Sequence, residues 1–245
     1  MTIFRKRKQI WCLWPSKPIA LIEFIGGSYL ATNPQISYRR LLEGLNQKGF
    51  AIHAWSYIPG FDHQSQANEA WKALRKLRVQ FENRIGGLPK AIRIGHSLGC
   101  KLHLLAPDGG RNSHSLIALS FNNFTAEKSI PFVEELSSKI GLQAEFSPNP
   151  KETMRIISTS YLQSQNLLIR FEKDNIDQSQ YLLDILQNRE GIDNTKIILM
   201  KGDHLTPASY GIRKFLLGNN TETISKTRKL SQLIDQIHQW IKETL

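Results

Sequence analysis

The sequence has little of what cross-links chains, binds metals or spans membranes. Its 245 residues include two cysteines, Cys12 and Cys100, which argues against a disulfide framework and predicts two free thiols in a reducing compartment. The Cys-x-x-Cys and His-Glu-x-x-His spacings of zinc sites do not occur, so we expect neither a metal nor a cofactor. No apolar run approaches the roughly 20 residues of a membrane-spanning helix, and Pro15 ends the first apolar stretch too early for a signal peptide. These features predict a cytoplasmic protein, or one at a membrane surface facing the cytosol.

Acidic residues are also in deficit. The chain has 32 lysines and arginines against 21 aspartates and glutamates, which gives a formal net charge of +11 at pH 7. Most cations are dispersed over predicted helix faces and no nucleic-acid-binding motif is visible, so we expect no nucleic-acid partner. The run Arg5-Lys6-Arg7-Lys8 differs because Trp11 and Trp14 follow it closely. This basic-aromatic segment predicts peripheral contact with an anionic membrane, where each cation is worth about 1 kcal/mol.

Short apolar runs alternate with stretches of helical spacing along the chain. Strands are predicted at residues 18–25, 50–55, 91–94, 116–121, 167–171 and 196–200, and the longer helices at residues 64–85, 178–187 and 222–244. This alternation predicts right-handed β-α-β crossovers and a mostly parallel sheet with helices on both faces. The length favours a single domain over residues 1–245. Residues 122–165 fit no strand–helix unit, and we interpret them as a small cap insertion over a site.

The most informative motif is Gly95-His96-Ser97-Leu98-Gly99. It follows a predicted strand and precedes a predicted helix, which is the context of the nucleophile elbow in α/β-hydrolases. A strand that turns sharply into a helix strains the backbone of its central residue, and small flanking residues are needed to avoid collisions. Ser97 is therefore the predicted nucleophile.

A serine hydroxyl becomes an effective nucleophile only when a base accepts its proton. The α/β-hydrolase order is serine, acid, histidine, with the last two placed after later strands. Asp174 follows strand 167–171 and His204 follows strand 196–200, so we predict a Ser97–Asp174–His204 triad. Asp177 is an alternative acid, although it is also placed to cap the helix that follows.

An oxyanion hole requires two backbone N–H groups that point towards the developing charge. The residue after the nucleophile, Leu98, should supply one of them. The loop after the first predicted strand should supply the other, and there we favour Gly27, with Ser28 as the alternative.

Several segments together resemble one family. They are Phe24-Ile25-Gly26-Gly27, Pro34-Gln35-Ile36-Ser37-Tyr38, Phe61-Asp62-His63-Gln64, the elbow, and Gly202-Asp203-His204-Leu205-Thr206-Pro207. The chain is similar to the α/β-hydrolase-like family called domain of unknown function 1350, of cyanobacteria and chloroplasts. The resemblance implies an α/β-hydrolase fold and an origin in an oxygenic phototroph, with no settled substrate. Asp62 would lie near the mouth of the site or cap the helix at residues 64–85.

The sequence thus predicts a serine hydrolase, of the esterase, thioesterase or lipase type, that acts on a small acyl or lipid-like substrate. The alternative is a non-enzymatic binding or assembly module on the same fold, because a fold does not determine function.

Overall fold

The computed structural model describes residues 3–87, 89–126, 145–209 and 224–245. The strands are β1 (Arg5–Arg7), β2 (Ile10–Leu13), β3 (Ala20–Ile25), β4 (Phe50–Trp55), β5 (Ala91–His96), β6 (Ser115–Leu119), β7 (Asn166–Lys173) and β8 (Lys196–Asp203). The helices are α1 (Pro34–Ser37), α2 (Arg39–Gln47), α3 (His63–Ile85), α4 (Leu98–Leu104), α5 (Pro150–Ser160), α6 (Ser179–Gln187) and α7 (Ile224–Thr244), with a short 3-10 helix at Ser28–Leu30.

Within the described residues, these strands form one sheet in the order β1-β2-β4-β3-β5-β6-β7-β8. The strands from β4 to β8 pair in parallel, and only β1 and β2 are antiparallel. The strand order runs outward in both directions from the β3–β5 pair, and ligands bind at the carboxyl ends of strands beside such a switch point. This topology confirms the predicted α/β class, and it brings the residues after β3 and β5 side by side.

Helices cover both faces of the sheet because the central strands are apolar on both sides. One core cluster joins Ile22 and Ile169 of the sheet to Leu41 of α2 and Leu233 of α7. On the opposite face, α3 and α4 share a cluster, and α5 and α6 share another with β6 and β7. Because the central strands are buried on both faces, their sequences are nearly continuous hydrophobic runs.

The N-terminal cations lie in a folded hairpin, not in a tail. Arg5–Arg7 pairs antiparallel with Ile10–Leu13, and the second strand pairs with β4. All three β1 side chains are exposed, whereas Ile10 is buried. Sequence reasoning missed β1 because lysine and arginine are not typical strand residues, although they are well tolerated on an edge strand.

The predicted cap insertion at residues 122–165 falls partly outside the described residues, since residues 127–144 are among those left out. In the described part, Met154 and Ile157 of α5 are buried in a cluster with Leu168 of β7 and Leu182 of α6. The end of this segment therefore covers the sheet. No helix in the described ranges has the length and apolarity required to cross a membrane.

Candidate active site

Ser97 lies at the tight turn between β5 and α4. Its φ of 55° and ψ of −122° place a non-glycine residue in a strained backbone region. The two motif glycines are required by close approach, because a Cβ on Gly99 would lie 2.0 Å from the carbonyl oxygen of Ile25 and one on Gly95 would lie 2.5 Å from the amide nitrogen of Cys100. The local sequence therefore permits the turn, and the turn presents Ser97 at the start of a helix.

Asp174 and His204 meet at the carboxyl ends of β7 and β8. The Nδ1 of His204 lies 2.9 Å from Oδ2 of Asp174, whose side chain is fully buried, while the imidazole is 21% exposed. The other carboxylate oxygen accepts a hydrogen bond from the backbone N–H of Ile176. Burial raises the pKa of Asp174, but the hydrogen bond and charge of His204 outweigh it and hold that pKa below the ordinary value. The carboxylate can thus orient the ring and stabilise its cationic form.

Asp177, the alternative acid, has other partners. Arg170 Nε donates to Asp177 Oδ1 at 2.8 Å, and the Ser179 hydroxyl donates to Oδ2 at 2.8 Å. The backbone N–H of Ser179 also donates to Oδ1, at the start of α6. Burial raises the pKa of Asp177, and these hydrogen bonds only partly offset it. The geometry therefore separates the two aspartates: Asp174 faces the histidine, and Asp177 anchors a helix end.

Gly27 lies against Ser97, since a Cβ added to it would be 2.9 Å from the Cβ of Ser97. Its N–H, expected to bind an oxyanion, instead donates to the hydroxyl of Tyr38 at 2.8 Å. The predicted role of Gly27 therefore does not fit this arrangement, because its donor is already used. Ser28 opens the short 3-10 helix and Leu98 opens α4, and the first N–H groups of a helix have no acceptor within it.

The Tyr38 hydroxyl also contacts His96 Nδ1, at 2.7 Å, and His96 Nε2 contacts the carbonyl oxygen of His204, at 2.8 Å. A carbonyl oxygen only accepts, so Nε2 of His96 carries the proton and donates, and Nδ1 accepts from Tyr38. Burial lowers the pKa of His96 to about 3, which keeps the ring neutral as this assignment requires. A buried hydrogen-bond chain thus connects the loop after β3 to the backbone of His204.

Sequence reasoning missed both Tyr38 and His96. The second residue of the elbow motif is variable, so His96 carried no distinct signal. Tyr38 closes one of the family-like segments, and that resemblance was the available hint.

Ser97 Oγ accepts a hydrogen bond from Asn122 Nδ2 at 2.9 Å. Within the described residues, no hydrogen bond joins Ser97 to His204, although both side chains line one cavity of about 240 Å³. Further lining residues are apolar: Tyr29, Leu30, Phe124, Ile176 and Leu205. The cavity is therefore lined by a serine and a histidine together with largely apolar side chains, which suit a short hydrocarbon group.

Asp62 lies outside this cavity and caps a helix. Its carboxylate accepts from the backbone N–H of Ser65 at 2.8 Å, at the start of α3. In the part of the chain that the structure describes, no group of three or more His, Cys, Asp and Glu side chains could hold a metal ion. Cys12 and Cys100 are both free and buried.

Solved structures with a similar fold include a lipase and an esterase. The monoacylglycerol lipase of Paleococcus ferrophilus aligns with 95% of this chain and 99% of its own, at a TM-score of 0.62 and 13% identity. The butyrate-bound Est2 esterase of Thermogutta terrifontis aligns over 98% and 94%, at a TM-score of 0.61 and 13% identity. The same esterase phosphonylated by sarin aligns over 96% and 93%, at a TM-score of 0.60 and 14% identity. These matches confirm the predicted α/β-hydrolase fold.

No curated protein matches the sequence significantly. One family model does match, described as "Protein of unknown function (DUF1350)", and it covers residues 4–245. That match spans nearly the whole chain and agrees with the family-like segments of the sequence, whereas the phototroph origin stays a prediction. The chain belongs to the DUF1350 family and has an α/β-hydrolase fold.

Proposed function

We propose that the protein is a serine hydrolase that cleaves an ester or thioester through Ser97, His204 and Asp174. The observation that carries the proposal is the pairing of His204 with the buried Asp174, in the cavity that also contains the strained Ser97. A scaffold that only binds a partner requires neither the strained serine nor the oriented histidine.

In the proposed reaction, Ser97 Oγ forms a bond to the carbonyl carbon of the substrate while its proton passes to His204 Nε2. The tetrahedral intermediate then collapses, the bond to the leaving oxygen or sulfur breaks, and His204 returns the proton to that group. Water repeats the sequence on the acyl-enzyme. Asp174 holds the ring with Nε2 towards the serine and stabilises the imidazolium. Hydrogen bonds between catalytic side chains are often formed only with substrate bound, so the lack of a Ser97–His204 contact is compatible with these roles.

The oxyanion would bind the N–H groups of Leu98 and Ser28. Both open helices beside the cavity, and both N–H groups lack an acceptor within their helix. Gly27, which the sequence favours as a donor, would then support this hole through its bond to Tyr38 rather than donate to it.

The apolar wall and the size of the cavity favour a short acyl group. A neighbour of the same fold was solved with butyrate bound, which supports the choice of a butyryl ester as the first substrate to test. The acyl class is part of the proposal, and the leaving group is left open between an alcohol and a thiol.

The test is hydrolysis of p-nitrophenyl butyrate by the wild type, Ser97→Ala and Ser158→Ala. Ser158 is an exposed serine on α5 whose hydroxyl donates to a helix carbonyl, and its replacement controls for loss of a hydroxyl. We expect Ser97→Ala to lower kcat by at least about 10⁴-fold and Ser158→Ala to leave it unchanged. Equal rates for all three proteins would contradict the proposal and favour the binding-module alternative.

A basic groove supports the predicted peripheral membrane contact. It lies between the β1–β2 hairpin and α3 and encloses about 420 Å³. Its lining includes four cations, Lys6, Arg7, Lys8 and Lys76, and three apolar residues, Ile10, Ala73 and Leu77. Cations and an apolar floor complement the phosphates and upper acyl chains of an anionic bilayer. The nearby tryptophans are partly covered by cations, since Lys6 lies over Trp11, and Arg7 and Arg84 lie over Trp14.

Vesicle sedimentation tests this surface. We expect binding to vesicles with phosphatidylglycerol, weaker binding at high salt, and little binding to pure phosphatidylcholine. Lys6→Gln with Lys76→Gln should reduce the bound fraction more than Lys151→Gln with Lys196→Gln, two exposed lysines outside the groove. Equal losses in the two double variants would attribute binding to net charge and reject the groove.

A further inference from the structure

Asn122 contacts the nucleophile, and the mechanism above gives it no role. Its Nδ2 donates to Ser97 Oγ at 2.9 Å, and it lines the same cavity as Ser97 and His204. Among the described residues, Asn122 is the side chain that hydrogen-bonds this hydroxyl. The contact is therefore to Ser97 Oγ, the atom that attacks the substrate in the proposed reaction.

The residues on either side of Asn122 are held by the start of α6. The backbone N–H of Gln178 donates to the carbonyl of Phe121 at 2.7 Å, and the hydroxyl of Ser179 accepts from the N–H of Phe121 at 3.3 Å. The N–H of Asn123 donates to Gln178 Oε1 at 2.6 Å. Functional side chains require such support to keep their geometry, and here the support comes from both neighbours.

The backbone leading to Asn122 is strained. Ser120 follows β6 and has a φ of 52°, in the left-handed region that is unfavourable for residues with a side chain. Ser97, at the end of the adjacent β5, is another non-glycine residue with positive φ. Backbone strain clusters at functional sites, and here it occurs at the ends of the two adjacent strands that bring Asn122 and Ser97 together. The other described non-glycine residue with positive φ is Lys8, in the β1–β2 turn.

The tetrahedral geometry of the serine oxygen indicates what the contact does. Oγ has four directions: the bond to Cβ, the proton, and two lone pairs. If the proton points to His204 and one lone pair accepts from Asn122, the remaining lone pair is the one available to attack a carbonyl carbon. The amide thus selects one rotamer of the hydroxyl and leaves its proton free for the base.

We propose that Asn122 is a further catalytic residue, which orients the Ser97 hydroxyl for attack by donating a hydrogen bond to Oγ. This inference rests on the proposed function, because it assigns a role in the same reaction. It requires the amide to act as a donor, and not merely to fill space.

Two replacements separate the effect of the hydrogen bond that Asn122 donates from the effect of its side-chain shape. Asn122→Ala removes the side chain, whereas Asn122→Asp keeps its shape but places a carboxylate, which only accepts, beside Oγ. Asn188→Asp is the control, since Asn188 is an exposed residue that donates to a helix carbonyl at the end of α6. The measurements are the rate of labelling by a fluorophosphonate probe, kcat and KM for p-nitrophenyl butyrate, and the urea midpoint.

We expect both Asn122 variants to react on the order of 100-fold more slowly with the probe. They should lower kcat by a similar factor with KM within about twofold, because the contact is to the nucleophile and not to the substrate. Asn188→Asp should match the wild type. If Asn122→Ala unfolds, Asn122→Asp alone decides the question.

Wild-type rates in Asn122→Asp would overturn the proposal, because shape alone would then suffice. A rise in KM at unchanged kcat would also overturn it and make Asn122 a substrate contact. Failure of the wild type to label or to hydrolyse any ester would instead reject the proposed function, so the two failures are distinguishable.

Discussion

Replacement of Asp174 by asparagine tests the acid of the proposed triad, and Asp177 provides a matched control. Both aspartates lie between β7 and α6, but only Asp174 contacts His204. The Asp174 side chain is fully buried, and Ile176 already occupies its other oxygen. An asparagine would therefore leave the imidazolium without its negative partner and could hold the ring in the wrong tautomer.

Loss of this interaction should lower kcat for p-nitrophenyl butyrate by about 10³–10⁴-fold. At about 1.36 kcal/mol for each factor of ten, that is about 4–5.4 kcal/mol of transition-state stabilisation. Asp177→Asn instead removes the charge beside Arg170 and the oxygen that accepts from the Ser179 hydroxyl. It should lower the free energy of unfolding by about 1–3 kcal/mol and leave kcat within about threefold.

The assay is steady-state hydrolysis near neutral pH, with urea unfolding of each variant followed by circular dichroism. A tenfold or smaller loss in Asp174→Asn would refute the assignment of Asp174. A large loss of kcat in Asp177→Asn, in protein that is still folded, would transfer the role to the alternative acid.

Three further predictions concern the scaffold of the site. Tyr38→Phe leaves the Gly27 N–H and His96 Nδ1 unpaired, so the free energy of unfolding should fall by about 2–6 kcal/mol, at about 1–3 kcal/mol for each group. Tyr29→Phe, at a tyrosine that is 66% exposed, should leave it unchanged. Equal urea midpoints for the two variants would reject the buried hydrogen-bond chain. Gly99→Ala should prevent stable folding of the elbow, because the added Cβ would lie 2.0 Å from a carbonyl oxygen; a wild-type melting curve would contradict this close approach. Burial lowers the pKa of Lys101 to about 7, so above that pH the unfolded chain binds more protons than the folded protein. The free energy of unfolding should therefore rise by up to about 1.4 kcal/mol for each pH unit between about 7 and 10.5. Lys101→Met should remove this gain, and Lys72→Met, at an exposed lysine, should keep it. Identical pH profiles of all three proteins would show that folding does not lower the pKa of Lys101.

Local pattern was sufficient to predict the parallel strands of the sheet and the proximity of Asp174 to His204. The elbow motif required an acid and a histidine after later strands, and Asp174 and His204 lie together at those strand ends. This worked because parallel strands end at a common edge, so chain order and strand ends imply proximity. The sequence favoured Asp174 but left Asp177 open as the acid. Side-chain contacts separate the two, since Asp174 faces His204 and Asp177 faces Arg170.

The remaining site features depend on side-chain contacts between distant segments. Tyr38 reaches Gly27 and His96 from the junction of α1 and α2. No periodicity or spacing in the sequence indicates these contacts of its hydroxyl. Asn122 follows a strand of ordinary pattern, two residues after the positive φ of Ser120, and nothing in the local sequence indicates its contact with Ser97. The edge hairpin was missed for a different reason, because a run of four cations is more typical of a solvated tail than of a strand.

The central claim is that Ser97 is an activated nucleophile, and covalent labelling tests it most directly. A neighbour of the same fold is phosphonylated by sarin, and a fluorophosphonate probe applies the same chemistry to this chain. We predict that the folded wild type gains the mass of one probe, on the peptide that contains Ser97, and that Ser97→Ala gains none. A folded wild type that stays unlabelled, or an adduct that persists in Ser97→Ala, would contradict the claim.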